Sequence, residues 1–98
     1  MRFGEHIRQL REQNNLLLRH LASELDIDTA MMSKIERSER KAKREHIPQL
    51  AKLLKASVSE LQTLYIADQI IELLDDEDNP QAILDAAEKK INQMKKDS

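Results

Sequence analysis

The chain has 98 residues, with 16 Lys and Arg against 18 Asp and Glu, a formal net charge of −2, no cysteine, one glycine (Gly4) and two prolines (Pro48, Pro80). This length argues for one domain with at most a small appendage, burying roughly 60 to 65% of its unfolded surface, so pairing with another chain would add useful stability. The lack of cysteine excludes a disulfide framework, a thiolate metal site and a thiol nucleophile and fits a reducing cytosol; with no secretory apolar run and nothing near the ~18 apolar residues of a membrane span, a soluble cytoplasmic protein is expected.

Two aromatics (Phe3, Tyr65) and an abundance of Leu, Ile, Ala, Glu, Lys and Arg argue for an all-α chain. The small net charge hides an asymmetry. Residues 1–66 carry 12 basic against 9 acidic side chains, net +3, and residues 67–98 carry 4 against 9, net −5. Only the first part is suited to face a polyanion.

Phe3, Ile7 and Leu10 recur at i, i+4, i+7, so a first amphipathic helix is expected from residue 3 to about 13, closed by Asn14-Asn15. Leu18, Leu21, Ala22 and Leu25 mark a short second helix. Asp28 is a good N-cap for a third, with Met32 and Ile35 on one face. Periodicity then stops at RSERKAKR (37–44), where five basic residues surround one acid in an expected loop. Pro48 belongs in the first turn of a fourth helix starting near Glu45, with the stripe Ile47, Leu50, Ala51, Leu54.

Ser59 with Gln62 reads as a capping box opening a fifth helix, whose stripe Leu61, Leu64, Tyr65, Ile66 continues through Ile70, Ile71 and Leu74 to about residue 75. DDEDNP (75–80) breaks the pattern. Asn79 as N-cap with Pro80 at the first helical position starts a last helix with the seam Ile83, Leu84, Ala87, Ile91, Met94.

Short helices with a tight bend between the second and third point to a helix-turn-helix. The sequence resembles the phage-repressor-like (XRE-type) helix-turn-helix family over residues 4–64. The resemblance is carried by Ile7-x-x-Leu10-Arg11, Leu16, Leu21-Ala22-x-x-Leu25-x-Ile27, Met32-Ser33-x-Ile35-Glu36-Arg37 and Leu50-Ala51-x-x-Leu54-x-Ala56-Ser57-Val58-x-x-Leu61. No single tetrapeptide is diagnostic; the joint spacing is. It implies an all-α, five-helix repressor-like domain (1–65), beyond which the charge and the seams leave an acidic C-terminal helical extension (66–98). It also implies an Arg11–Glu36 ion pair between helices one and three. Similar proteins usually have glycine at the positions of Asp26 and Ser38, a Ser or Thr cap at that of Leu17, and often a polar contact residue at that of Leu18.

On a wheel of roughly 100° per residue, Met32 and Ile35 face inward, while Thr29, Ala30, Ser33, Lys34 and Arg37 face outward. In this motif the third helix enters the major groove, which makes Thr29, Ala30, Ser33 and Lys34 the expected base readers. Ala30 and the Thr29 methyl suit a thymine methyl, Lys34 suits guanine O6/N7, and Ser33 can reach a base or a phosphate. Met31 stays open between core and groove. Arg37, Arg40, Lys41, Lys43 and Arg44 follow the reading helix, where cations of similar proteins meet phosphates. Asp28 is read as structural.

His6, His20 and His46 sit on different helices without the spacing of a zinc helix, and Asp75-Asp76-Glu77-Asp78 lacks the alternating ligands and glycine of a calcium loop. With no nucleophile, phosphate loop or acid-base pair, neither an enzyme nor a cofactor is expected.

The apolar seams of residues 66–98 could pack inward or pair two copies. The second use is preferred, through Ile66, Ile70, Leu74, Ile83, Ala87 and Ile91, because reading helices of this class act in symmetric pairs. Two functions remain open. One is a homodimeric, sequence-specific transcriptional regulator, a repressor or autoregulator of the controller kind found beside restriction-modification genes. The other is an antitoxin-like protein whose C-terminal helices bind a protein partner and which autoregulates its operon.

Overall fold

A computed structural model describes residues 1–97, and all regular structure among them is helical. The helices are α1 (Phe3–Gln13), α2 (Leu18–Glu24), α3 (Thr29–Glu36), α4 (Ile47–Leu54), α5 (Val58–Leu74) and α6 (Pro80–Asp97), with one 3-10 turn at Arg44–His46 between α3 and α4. No helix among the described residues is long and apolar enough to cross a membrane.

The 3.6-residue spacing of the apolar positions builds one core from five helices. Phe3 and Ile7 enter from α1, Leu21 and Ala22 from α2, Met32 and Ile35 from α3, Ile47, Leu50, Ala51 and Leu54 from α4, and Leu61 and Tyr65 from α5; all are buried. The Phe3 and Tyr65 rings meet edge to face at 5.4 Å between centroids, a favoured aromatic geometry. Gly4, also buried, is where α1 crosses the end of α3. A Cβ there would collide with the Ile35 carbonyl and lie 2.9 Å from that of Glu36, so only glycine permits this approach.

Four helices end in the same device. Asn15, Asp26, Ser38 and Lys55 all have φ between 55° and 62°, the left-handed region. After each, the next N–H reaches back five residues: Leu16 to Arg11 at 3.0 Å, Ile27 to Ala22 at 3.0 Å, Glu39 to Lys34 at 2.9 Å and Ala56 to Ala51 at 2.9 Å. These are Schellman closures, which satisfy the last carbonyls of a helix and usually use glycine. Here none does.

This explains one departure from the sequence reading. The cap of α5 is Ser57, whose hydroxyl accepts from the Glu60 N–H at 3.2 Å, and not Ser59. The closure of α4 ends at Ala56 and leaves Ser57 extended (φ −75°, ψ 130°), so the next helix can begin at once with Val58. Ser59 lies inside it and its carbonyl accepts from the Thr63 hydroxyl. The fourth helix also starts later than expected, at Ile47, because Arg44–His46 wind as a tighter 3-10 turn. The Asn79 cap is present: its side chain accepts from the Ala82 N–H at 3.1 Å.

α5 runs without interruption through residues 65 and 66. Ile66 packs against the core and Leu74 is half-buried, whereas Ile70, Ile71 and Leu73 are exposed. α6 has no buried residue. The radius of gyration of 16.0 Å exceeds the about 12.6 Å of a compact chain of this length, as a projecting last helix requires.

Candidate nucleic-acid interface

Leu25 to Asp28 turn the chain between α2 and α3. Asp26 takes the left-handed conformation at φ 55°, which Asp tolerates better than most residues. Ile27 is half-buried against the core. Asp28 is extended, and its carboxylate accepts from the Met31 N–H at 2.7 Å, capping α3. A negative charge there also suits the helix dipole.

Three residues clamp α3 from below: Met32, fully buried, and Ile35 and Glu36, nearly so. Glu36 is held by the Arg11 guanidinium of α1 at 2.8 Å. The opposite side is open. Thr29, Ala30 and Lys34 are exposed and Ser33 is half-buried. Met31, left open by the sequence, is half-buried against the core.

The basic segment after α3 is a loop with an anchor. Ala42 is buried, and its carbonyl accepts from the Tyr65 hydroxyl at 2.6 Å. Arg40, Lys41, Lys43 and Arg44 on either side are exposed, and no ion pair with a described residue engages them. Arg37 differs: it donates to Glu39 at 2.9 Å and to the Ser33 hydroxyl at 2.8 Å. Its charge is thereby partly neutralised within the loop.

Three features escaped the sequence reading. Tyr65 and Ala42 stand 23 residues apart with no periodic relation. Glu39 was counted only as the lone acid of a basic run. His20 makes the return half of a capping box, its imidazole Nδ1 accepting from the Leu17 N–H at 2.9 Å, while Leu17 offers no side-chain acceptor to the first N–H groups of α2. A polar acceptor three residues after a cap position was the available signal. The resulting surface combines an exposed helix face with neighbouring unpaired cations. Among the described residues no group of three or more His, Asp or Glu side chains gathers to hold a metal ion.

Compared with known protein families, residues 2–64 match the helix-turn-helix domain. No curated protein and no solved structure gives a match.

Proposed function

The chain belongs to the helix-turn-helix domain family, and from that premise we propose that it is a sequence-specific transcriptional regulator of the phage-repressor-like type, a homodimeric repressor or autoregulator acting in the cytosol on a palindromic operator. The observation that carries the reading is the division of α3 into a clamped side (Met32, Ile35, Glu36) and a bare side (Thr29, Ala30, Lys34). A helix held on one side by its own domain and polar on the other fits a major groove.

In this reading residues 1–65 bind DNA and residues 66–98 bring two copies together. Thr29 and Ala30 supply methyl groups for thymine, Lys34 donates to guanine, and Ser33 reaches a base or phosphate from under Arg37. Arg40, Lys41, Lys43 and Arg44 take phosphates, while Arg37 exchanges Glu39 for phosphate as DNA arrives. The acids beyond residue 67 keep the far end of the molecule away from the duplex. Exposed apolar residues on α5 and α6, among them Ile70, Ile83 and Ile91, with Leu74 and Ala87, supply the dimer contact.

Selection of bound sequences from random duplex DNA tests this directly. The expected result is an inverted repeat whose half-sites lie about one helical turn, roughly 34 Å, or a multiple of it apart. Recovery of no sequence above background overturns sequence-specific reading, and a single unrepeated site overturns the dimer on DNA.

A further inference from the structure

α6 spans 18 residues with no buried side chain among those described. Such a helix is weakly populated in water by itself, because most helical stability in proteins comes from burying one face. Its apolar residues are nonetheless aligned. Leu84, Ala87, Ile91 and Met94 recur at steps of 3, 4 and 3, with Ile83 beside the first, which is the seam of a two-helix coiled coil. Leu84 is 38% exposed, Ile91 52% and Met94 70%.

Charge decides what fits that seam. From residue 72 to 88 the chain carries seven acids (Glu72, Asp75, Asp76, Glu77, Asp78, Asp85, Glu88) and no base; from 89 to 97 it carries Lys89, Lys90, Lys95 and Lys96 against Asp97. The acids lead the helix and the lysines end it, which also suits its own dipole. Two copies laid parallel set acid against acid and lysine against lysine. Two copies laid antiparallel set each acidic half against a lysine-rich half and oppose the two dipoles. Opposed gradients of charge along two paired helices favour the antiparallel orientation in this way.

We propose that α6 pairs with α6 of a second copy in the antiparallel sense, in the register that sets Leu84 against the partner's Met94 and Ala87 against the partner's Ile91. The small Ala87 accommodates the larger isoleucine at both central layers, and Leu84 with Met94 closes both ends. Lys95 and Lys96 of each helix then lie level with the acid-led start of the other, towards its run at 75–78, whereas Glu88 and Lys90, beside the two-fold axis, each face their own copy and subtract from the pairing. The proposal rests on the homodimer reading above and adds to it the contact helix, its orientation and its register.

The absence of cysteine lets single cysteines report the orientation in the full chain. Leu84→Cys and Met94→Cys are prepared separately, then oxidised alone and as an equal mixture combined under reducing conditions. The expected result is several-fold more cross-linked dimer from the mixture than from either variant alone. Self-cross-linking of each variant with no gain on mixing overturns the orientation and leaves the dimer standing; dimers that cross-link in neither experiment overturn the register. A chain that sediments only as a monomer overturns both the pairing and the dimer. Ile91→Asp places a charge in the seam and is expected to weaken dimerisation about tenfold or more. The same variant should retain the helical circular dichroism of the first five helices. Unchanged dimerisation would place the contact elsewhere.

Discussion

Arg11 on α1 grips Glu36 at the end of α3 through two parallel contacts, Nε to Oε2 at 2.8 Å and Nη2 to Oε1 at 3.1 Å, and spends a third N–H on the Leu16 carbonyl at 3.0 Å. One side chain thus joins α1, the entry to α2 and the end of α3. The hydrogen bond to Glu36 raises the guanidinium pKa, against the lowering effect of burial and with added attraction from Glu36 and Glu12. A pKa raised on folding stabilises the native state at every pH below the ordinary arginine value and is lost only as pH climbs through the raised one. Arg11 therefore contributes fully across the working pH range.

Glu36 is only 5% exposed, so removing its partner strands a carboxylate. Arg11→Ala is expected to cost about 3–5 kcal/mol, whereas removing both charges together is close to neutral when apolar residues fill the space. Thermal unfolding of Arg11→Ala, and of Arg11→Met combined with Glu36→Leu, checks this. The double variant should recover most of the loss; a double variant as unstable as the single one would show that the stranded charge is not the cause.

The four left-handed closures invite the opposite kind of change. A side chain with a Cβ at φ near 60° costs roughly 1–2 kcal/mol, less for Asn and Asp. Glycine removes that cost but frees the unfolded chain by about 0.4–1 kcal/mol. Ser38→Gly and Lys55→Gly should each therefore stabilise by about 0.5–1 kcal/mol, a rise of a few degrees in Tm for a chain of this size. Asn15→Gly and Asp26→Gly should gain little or nothing. Calorimetry on the four variants would show this ranking or refute it.

Tyr65→Phe isolates the anchor of the basic loop. It leaves the Phe3 ring contact and removes only the bond to the Ala42 carbonyl. Leaving that buried acceptor unpaired should cost about 1–3 kcal/mol. Under the proposed phosphate role, the variant should also bind all duplexes more weakly while preferring the same half-site. A changed half-site preference would mean that Tyr65 acts on the reading helix and not on the loop.

What was legible in the sequence was what periodicity and local caps encode. The stripes of α1, α4 and α5, the Asp28 and Asn79 caps, Pro48 in a first turn and the outward face of α3 all depend on residues within one or two turns of each other. The failures are tertiary. Gly4 has no local reason to be glycine; its reason is a carbonyl more than 30 residues away. Ser57 displaced Ser59 because the preceding helix closed at Ala56, a closure made on Lys55, where no turn residue announced it. The Arg37–Glu39 pair needed the left-handed closure of α3 on Ser38, which brings Glu39 back to the Lys34 carbonyl and which no glycine announced.

The proposed division of labour between α3 and its loop predicts two distinguishable losses. Under the proposed function Lys34 sits on the reading face, so Lys34→Ala should cost about 1–3 kcal/mol on the preferred operator and relax specificity at one base pair. Arg44 lies beyond the helix among the phosphate candidates, so Arg44→Ala should weaken all duplexes alike and make the salt slope shallower by about 1. With Arg40, Lys41, Lys43 and Arg44 all engaged, log K should fall against log salt with a slope of about −3.6 per subunit, steepening by about 0.9 once Arg37 also takes its phosphate. Gel shifts over a salt series, on operator and on mismatched duplex, read both quantities, with helical circular dichroism unchanged in either variant. A salt-insensitive complex, or equal behaviour of the two variants, would contradict the proposed face.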